Sequence, residues 1–452
     1  VMGFKRKIMS ELLRWKNSKI AGKNHEALII KGLRQVGKTY IAKQFGEENY
    51  ENVVYMNFKM QPEIKNAFLE DLRVDSIMTA LSLYLPPFHL VPGKTLLIMD
   101  EIQECPNARS SLRSFVLDQR YDVLATGSLL GIKGYNRTPG QGPSVGQESI
   151  LTMTSMDFEE FLWAKGVNET ILNLLQKSYE NRTSIPLAIH TALLGYYREY
   201  LVVGGMPEVV DLFLKSGDYA VTREKQRNLM ESYRSDFGKF ISETGQERTD
   251  KPLLIKLNQI MDSLPIQLAK DYKKFQFSNV DKNAKSDRYS EALQWLVDYG
   301  LHVPCFNLAS FDLPLNGSAI PNEFKIYFSD VGLFVSQLEE GTASDIINDI
   351  LGIYKGALYE EMVADAFTKN GRKLYYFRKT TGLEIDFVTR YQGQATLIEV
   401  KARNGKTKAA NEVLSNPKYH VNQMIKLYSG NVGTQDNKLS LPYYLSFLVQ
   451  EH

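Results

Sequence analysis

The stretch ALIIKGLRQVGKTYIAKQF constrains the fold of this 452-residue chain more than any other. Its opening apolar run predicts a buried parallel strand, and a helical pattern closes it. Between them, Gly32, Gly37, Lys38 and Thr39 have the spacing G-x-x-x-x-G-K-S/T. The glycines let backbone N–H groups curl around phosphates, while Lys38 would reach the β- and γ-phosphates and Thr39 would bind Mg²⁺. The alternative is a glycine-rich turn with this spacing by chance.

A second segment, KTLLIMDEIQECP, supplies the acids that such a site needs. Its strand, Leu96 to Met99, ends in Asp100 and Glu101. Asp100 stands where a carboxylate would hold Mg²⁺ through water, and Glu101 where a base could orient the attacking water. The same two acids could instead cap the next helix.

A third segment, YDVLATGS, predicts a strand that ends in Thr126, Gly127 and Ser128. Thr126 would lie beside the γ-phosphate if this strand falls between the other two. The alternative is an ordinary turn at the end of a strand.

Together with SVGQESILTMTSMDFEEFL and YLVVGGMPEVV, these segments resemble bacterial and archaeal P-loop ATPases of the AAA+ class. The closer resemblance is to the branch with a C-terminal domain of unknown function. Leu33 stands where that family usually has proline, and Gln147 where some relatives carry arginine; Arg137 is a weaker candidate for an arginine contribution. The P-loop pattern and the resemblance imply a nucleotide site formed by Gly32, Leu33, Arg34, Gln35, Val36, Gly37, Lys38, Thr39, Tyr40 and Thr126.

The middle of the chain has a helical pattern that the residues Gly204 to Pro207 interrupt. Pro207 suits the first turn of a new helix. The resemblance implies that this turn packs near the nucleotide and reports its state, whereas a plain interhelix turn needs no such role.

From about residue 251 the pattern predicts a helix, a short helix from Pro265, a third helix and two strands, which is the order of a winged helix. The resemblance implies the same fold. A basic lead-in at residues 268–290 suits DNA phosphates, although such runs are often solvated and winged helices often bind proteins. Its basic residues are Lys270, Lys273, Lys274, Lys282, Lys285 and Arg288.

Near the C-terminus, LEIDFVTRYQGQATLIEVKA predicts a hairpin because two alternating segments flank a polar turn. Because side chains alternate between the two faces of a strand, Asp386, Glu399 and Lys401 can lie on one surface of the hairpin. These three residues form the core of the PD-(D/E)xK nuclease arrangement. The two carboxylates would hold Mg²⁺, and the lysine would position water. Glu360, on a predicted helix, falls where such domains place a helical glutamate. The alternative is a solvated polar face or a nuclease fold without activity.

The net charge of +2 requires any nucleic-acid contact to come from local patches. Two cysteines and no long apolar run indicate a reducing cytoplasm without a membrane segment. At 452 residues a length prior suggests about three domains, and the patterns together with the resemblance divide the α/β fold into four segments. These are an AAA+ P-loop parallel-sheet core over 1–165, a helical lid over 166–245, a winged helix over 246–340 and a restriction-endonuclease-like domain over 341–452.

These patterns predict a Mg²⁺-dependent ATPase, associated with duplex DNA, whose nucleotide state controls the nuclease-like domain. The alternative is a nucleotide-dependent switch or interaction protein with an inactive C-terminal domain, and a homo-oligomer or a protein partner is compatible with both. The expected catalytic residues are Lys38, Glu101, Glu360, Asp386, Glu399 and Lys401. The expected metal ligands are Thr39, Asp100, Asp386 and Glu399.

Overall fold

The computed structural model describes residues 3–22, 26–130, 147–241, 247–270, 273–281, 286–350, 355–403 and 405–450. Arg137, Lys282 and Lys285 lie outside these ranges. The described residues form two large sheets, one parallel and one mixed, with a helical region between them in sequence. The predicted α/β class and the parallel-sheet core are confirmed.

The N-terminal sheet has five parallel strands in the order β2-β3-β4-β1-β5. Its strands are β1 Ala27–Gly32, β2 Asn52–Asn57, β3 Thr95–Asp100, β4 Asp122–Ser128 and β5 Glu148–Thr152. The flanking helices are α1 Ile8–Ile20, α2 Lys38–Asn49, α3 Val74–Leu81 and α4 Pro106–Asp118.

Both faces of this sheet are covered because alternate apolar side chains of each strand enter different cores. Leu28 and Ile30 of β1 pack in one cluster, while Ile29 packs in the other. Every residue of β3 is buried. Strands with apolar residues on both faces are stable only between helical layers, which explains the continuous apolar runs in the sequence.

The helical region contains α5 Phe158–Ala164, α6 Glu169–Asn181, α7 Leu187–Val203, α8 Pro207–Ser216 and α9 Tyr219–Asp236. Asp157 and Glu160 form a reciprocal capping box at the start of α5. Helix α7 ends before Gly204, and Pro207 is the first residue of α8, as predicted. A short pair of strands follows, β6 Lys239–Ile241 and β7 Glu247–Thr249.

The predicted short helix from Pro265 is wrong. Pro265 lies inside a single helix, α10 Lys251–Ala269, because the apolar stripe of that helix continues through it. The proline is buried with Leu264 and Leu268, which offsets the one hydrogen bond that its missing N–H removes. Between α10 and helix α11 Ser286–Tyr299, the only helical turn among the described residues is Phe277–Asn279.

The strands after α11, β8 His302–Leu308 and β9 Ala319–Phe328, pair antiparallel as a wing would. However, β8 also pairs in parallel with β10, so the hairpin forms one edge of an eight-stranded sheet in the order β14-β15-β13-β12-β11-β10-β8-β9. The predicted boundary between residues 340 and 341 therefore does not separate two sheets. The remaining strands are β10 Leu374–Arg378, β11 Glu384–Tyr391, β12 Gln394–Val400, β13 Met424–Tyr428, β14 Gly433–Gln435 and β15 Lys438–Pro442.

The last helices are α12 Val331–Ser336, α13 Thr342–Ile347, α14 Lys355–Lys369 and α15 Lys408–Ser415, and a 3-10 segment, Tyr443–Leu448, follows β15. This segment packs on the helical region, where the hydroxyl of Tyr444 lies 2.8 Å from Nδ1 of His190. Both cysteines are buried free thiols. Across the part of the chain that the structure describes, no helix is long and apolar enough to cross a bilayer.

Candidate functional sites

The phosphate-type loop joins the end of β1 to the start of α2. Gly37 has φ +98° and Gln35 has φ +68°, so the loop uses left-handed backbone at two positions. At Gly32 a Cβ atom would lie 2.2 Å from the carbonyl oxygen of Met153, so only glycine fits. The two glycines that the motif requires are therefore explained by backbone geometry.

Lys38 points back into this loop. Its Nζ donates to the carbonyl oxygens of Gly32, at 3.1 Å, and Leu33, at 2.9 Å. Burial lowers the pKa of Lys38 to about 8, and the nearby carboxylates of Glu101 and Asp100 oppose that shift. A desolvated ammonium at the centre of a loop of backbone N–H groups is suited to bind a polyphosphate.

The carboxylate of Asp100 lies next to the hydroxyl of Thr39, whose Oγ1 is 3.0 Å from both carboxylate oxygens. Thr126 also donates to Asp100, because β4 lies between β3 and β1. Two donors from the end of β2 complete the set: Tyr55 Oη at 2.7 Å and Asn57 Nδ2 at 2.8 Å from Oδ2. Four neighbouring side chains thus fix Asp100.

Sequence reasoning missed Tyr55 and Asn57. Asn57 is the register partner of Asp100 in the neighbouring strand. The sequence signal for this contact was a predicted strand that ends in a polar residue, Asn57. Glu101, the next residue, has φ +55° and accepts a hydrogen bond from the amide of Gln103. The backbone N–H of Glu101 donates to Thr126 Oγ1 at 3.3 Å, and the Glu101 carboxylate is near enough to Lys38 to affect the pKa of that lysine.

The outer side of the loop is held by residues from other parts of the chain. Arg6 donates to the carbonyl oxygen of Val36 at 2.9 Å. Arg34 pairs with Asp236 of α9, and Tyr233 of the same helix donates to the Arg34 carbonyl oxygen at 3.0 Å. The predicted contact residue Tyr40 is exposed on α2. The loop therefore contacts helix α9 of the helical region, and the contact with Arg6 was not foreseen.

The second candidate site lies on the hairpin of β11 and β12. Gln392 and Gly393 both have positive φ, which suits a two-residue hairpin turn. The antiparallel register pairs Phe387 with Ile398, and continuing it by one residue sets Asp386 opposite Glu399. The predicted hairpin is confirmed.

Lys401 bridges the two acids of this hairpin. Its Nζ lies 2.5 Å from Oε2 of Glu399 and 3.4 Å from Oδ2 of Asp386. The backbone N–H of Val400 also donates to Asp386, at 2.8 Å. The other oxygen of Glu399, Oε1, is buried and has no hydrogen-bond partner among the described residues.

These contacts shift the pKa values of the group. Burial, and then the Asp386 carboxylate, raise the pKa of Glu399 to about 7. Burial, followed by the charge of Glu360, raises the pKa of Asp386. Although burial opposes it, the two carboxylates raise the pKa of Lys401. Acids that repel one another in a buried site are a common feature of metal centres and catalytic sites.

Glu360, in the first turns of α14, faces the same group but has different partners. Its Oε1 lies 2.5 Å from Lys273 Nζ. Its Oε2 lies 3.1 Å from Lys325 Nζ and accepts a hydrogen bond of 2.7 Å from the hydroxyl of Tyr327. Burial opposes ionisation, but Lys325 and Lys273 lower the pKa of Glu360 to about 2. Asp386, Glu399 and Lys401 are therefore in contact, and Glu360 is near enough for its charge to raise the pKa of Asp386. The partners of Glu360 include lysines that sequence analysis did not assign to the site.

The residues of the hairpin fit a magnesium ion with few protein ligands. In the described ranges no group of three or more His, Cys, Asp or Glu side chains is arranged to hold a metal ion. Mg²⁺ commonly takes one or two carboxylates, water and substrate phosphates. The carboxylates of Asp386 and Glu399, with the unpartnered Oε1, match that donor set.

The basic lead-in differs from the expectation. Lys273 binds Glu360, Lys274 lies 3.1 Å from Glu323, and Lys270 donates to Asn279 at 2.9 Å. Each of these three lysines therefore has a partner within the chain, and Lys270 is exposed.

Comparison with known proteins identifies the N-terminal unit. A family model described as an AAA domain matches residues 24–162. This matched segment is called the AAA domain below. Two further models, each described as a domain of unknown function, match residues 194–344 and 355–444. The search of curated proteins found no match.

Solved structures with a similar arrangement include three ATPases or related proteins. The Walker-type ATPase of Pyrococcus abyssi has 13% identity over 74% of this chain and 96% of its own, with a TM-score of 0.41. The RuvB Holliday junction branch migration motor of Thermotoga maritima has 13% identity over 72% of this chain and 92% of its own, with a TM-score of 0.29. The Orc1 protein of Aeropyrum pernix, solved in complex with DNA, has 10% identity over 75% and 91%, with a TM-score of 0.29. At these TM-scores the likenesses carry no argument.

The AAA domain contacts the turn between α7 and α8 directly. A Cβ atom at Gly37 of the phosphate loop would lie 3.9 Å from Cγ of Pro207. The N–H of Met156, just after β5, donates to the Gly205 carbonyl oxygen at 2.7 Å. At Gly205 a Cβ atom would lie 1.9 Å from the carbonyl oxygen of Met156, so the two segments approach as closely as glycine permits.

A buried ion-pair network continues from this turn to α14. Asp330 accepts hydrogen bonds from the Gly205 N–H, at 2.8 Å, and the Ser155 hydroxyl, at 2.7 Å. Lys369 lies 3.2 Å from Asp330 and 2.7 Å from Asp365. The side chains of these three charged residues are at most 2% exposed. The AAA domain, the helical region and the helix that bears Glu360 are therefore joined by charged groups without solvent between them.

Proposed function

We propose that this chain is a Mg²⁺-dependent ATPase in which bound nucleotide controls a nuclease-like site on its C-terminal sheet. The observation that carries the proposal is the buried path from the phosphate loop to α14. Gly37 lies beside Pro207, Gly205 is bound by Asp330, and Asp330 is paired with Lys369 on the helix of Glu360.

In the AAA domain, each side chain has a role that its position supports. The N–H groups of the loop and the Lys38 ammonium would bind the β- and γ-phosphates. Thr39 and Asp100 would hold Mg²⁺, which neutralises developing phosphate charge when it is bound. Glu101 would accept a proton from the attacking water or orient it, and Thr126 would hold that water or the γ-phosphate.

In the C-terminal sheet, the hairpin supplies the groups for phosphodiester hydrolysis. Asp386 and Glu399 would hold one Mg²⁺ ion, which makes a bound water a stronger nucleophile. Lys401 would orient that water and stabilise negative charge on the phosphate. Three exposed basic residues follow in sequence and would attract a nucleic-acid backbone: Arg403, Lys406 and Lys408.

Control by nucleotide would act through the network rather than through direct contact. A γ-phosphate in the loop changes what surrounds Gly37, and the neighbouring Pro207 begins α8. Any shift of the Gly205 turn changes its hydrogen bond to Asp330 and therefore the ion pair with Lys369. Because a buried ion pair has a narrow range of favourable geometries, such a shift would move α14.

The second candidate function is a nucleotide-dependent switch whose C-terminal domain binds a partner without cutting. One observation favours it: each carboxylate of the nuclease-like group is already neutralised by a lysine. Lys401 binds Asp386 and Glu399, while Lys273 and Lys325 bind Glu360. A charge-balanced cluster of this kind also serves as a structural element.

Measurement of ATP turnover and strand cleavage on the purified chain in Mg²⁺ decides between the two. Asp386→Ala and Lys401→Ala are each expected to remove cleavage while ATP turnover is retained. Glu412→Ala, at an exposed position of α15, is the matched control and should retain both activities. Cleavage that survives both site variants would refute the assignment of the site. If the parent cuts no duplex, single-stranded or RNA substrate, the switch is the better description.

A further inference from the structure

Lys325, in the edge strand β9, lies between two carboxylates of the C-terminal sheet. Its Nζ is 3.1 Å from Oε2 of Glu360 and 2.8 Å from Oε1 of Glu384, and its side chain is 1% exposed. Glu384 is two residues before Asp386 on β11. Two carboxylate oxygens that converge on one buried point could also hold a divalent ion.

Every oxygen of these two carboxylates has a cationic partner. Oε1 of Glu360 binds Lys273 at 2.5 Å, and Oε2 of Glu384 binds Arg378. Although burial opposes it, the charges of Glu360 and Glu384 raise the pKa of Lys325, so the ammonium persists at neutral pH. By contrast, Oε1 of Glu399 has no hydrogen-bond partner among the described residues.

We propose that the Lys325 ammonium occupies the place of a second divalent ion, so that the nuclease-like site binds one metal ion, through Asp386 and Glu399 alone. This inference rests on the proposed function, because it concerns the same site. Two-metal sites place their ions about 3.5–4 Å apart, so a second ion would need further carboxylate oxygens beside those of Asp386 and Glu399. Here Glu360 and Glu384 are committed to Lys325, and displacement of a buried, paired ammonium by a divalent ion would leave that charge without a partner. Lys401 and one ion must therefore activate the water together.

The test is to count the Mn²⁺ ions that the full chain binds. Substitution of single carboxylates then shows which of them each bound ion requires. Asp386→Ala is expected to remove one ion or weaken its affinity by about a hundredfold or more. Glu384→Gln, at a part-buried position, is expected to leave the number of bound ions unchanged, because Glu384 is not a ligand of the proposed ion. Its affinity for that ion is expected to fall by only about tenfold, the usual effect of a group that supports a metal site without binding the metal. The fold of both variants is checked by thermal unfolding.

A second measurement needs no variant: the electron paramagnetic resonance spectrum of the Mn²⁺-loaded parent. One ion per site is expected to give an uncoupled Mn²⁺ signal. An exchange-coupled pair, or an ion that Glu384→Gln removes while the Asp386-dependent ion remains, would overturn the one-ion inference and leave the proposed function intact. If Asp386→Ala removes no ion, the metal site itself is absent and the proposed nuclease-like function fails.

Discussion

Lys369, at the end of α14, lies 3.2 Å from Asp330, and the same carboxylate accepts a hydrogen bond from the Gly205 N–H beside the AAA domain. Glu360 lies nine residues before Lys369 on the same helix. A displacement of the Gly205 turn would therefore reach both groups as a movement of one rigid element. This is the simplest physical route between the two candidate sites.

Asp330→Asn is expected to lower the free energy of unfolding by about 3 kcal/mol, because Lys369 would keep its charge in a buried setting with one partner fewer. The asparagine oxygen can still accept the hydrogen bonds at the start of α12, but its amide replaces the oxygen that accepts from Gly205 and Ser155, so the loss reports the charge together with these two hydrogen bonds. Urea denaturation measures the change. Glu51→Gln, which breaks an exposed pair with Lys94, is the control and should cost about 0.5 kcal/mol or less. Equal effects of the two substitutions would contradict this view of the network.

Lys38→Ala is expected to abolish ATP binding, since the phosphates lose the cation that the loop encloses. Glu101→Gln should bind ATP like the parent but hydrolyse it about a hundredfold or more slowly if Glu101 is the base. Calorimetry and phosphate release measure the two effects. Glu104→Gln, in the 3-10 turn after Glu101, is the control and should change neither. Unchanged turnover in Glu101→Gln would remove Glu101 from that role.

Tyr55→Phe is expected to weaken Mg·ATP affinity by about tenfold, because the hydroxyl that orients Asp100 from behind is lost. Affinity for ATP without Mg²⁺ should change little. Tyr50→Phe is the matched control, since its hydroxyl binds Asp122 at 2.7 Å rather than Asp100. If the two variants bind Mg·ATP equally well, Tyr55 only fills space in the sheet.

His302 is expected to make the fold sensitive to acid. Burial lowers the pKa of this histidine to about 3, with a further contribution from the charge of Arg234. The unfolded chain takes up a proton below a pH of about 6.5, so stability is present above that pH and is lost as the pH falls. The expected loss from pH 7 to pH 5 is about 2 kcal/mol.

His302→Phe tests this effect because it removes the titrating ring and keeps the packing against Phe328. The pH dependence of urea denaturation should be shallower in the variant than in the parent. His89→Gln, at an exposed position, should follow the parent. Parallel profiles for the parent and His302→Phe would contradict the assignment.

Charge reversal of Lys406 and Lys408 is expected to weaken binding to duplex DNA and to reduce the salt dependence by about two units of slope, one for each lost phosphate contact. Both side chains are exposed, unlike the paired lysines of the lead-in. Fluorescence anisotropy over a salt series measures the slope. Reversal of the exposed Lys59 and Lys177 controls for net charge. Equal slopes in both double variants would move the nucleic-acid contact elsewhere.

Local patterns predicted the phosphate loop, the acid-terminated β3 and the β11–β12 hairpin because each depends on residues close in sequence. The edge formed by β8 and β9 was not predicted, since β8 pairs with β10 across an interval of about seventy residues. The single helix through Pro265 was missed because burial of the proline outweighs its local preference. Sequence reasoning identified the acids of the nuclease-like group but missed Lys325 and Tyr327, which both bind Glu360. The available signal was their spacing of two residues in FKIYFSD, which places both side chains on one face of the strand.

The effect of ATP on the rate of DNA cleavage tests the central claim most directly. In Mg²⁺, the parent is expected to cut duplex DNA at a rate that changes by about tenfold when ATP is added, a coupling of ordinary size for two linked sites. Lys38→Ala should cut at the nucleotide-free rate whether or not ATP is present. A parent that hydrolyses ATP and cuts DNA, but at one rate with and without ATP, would contradict control of the C-terminal site by the AAA domain.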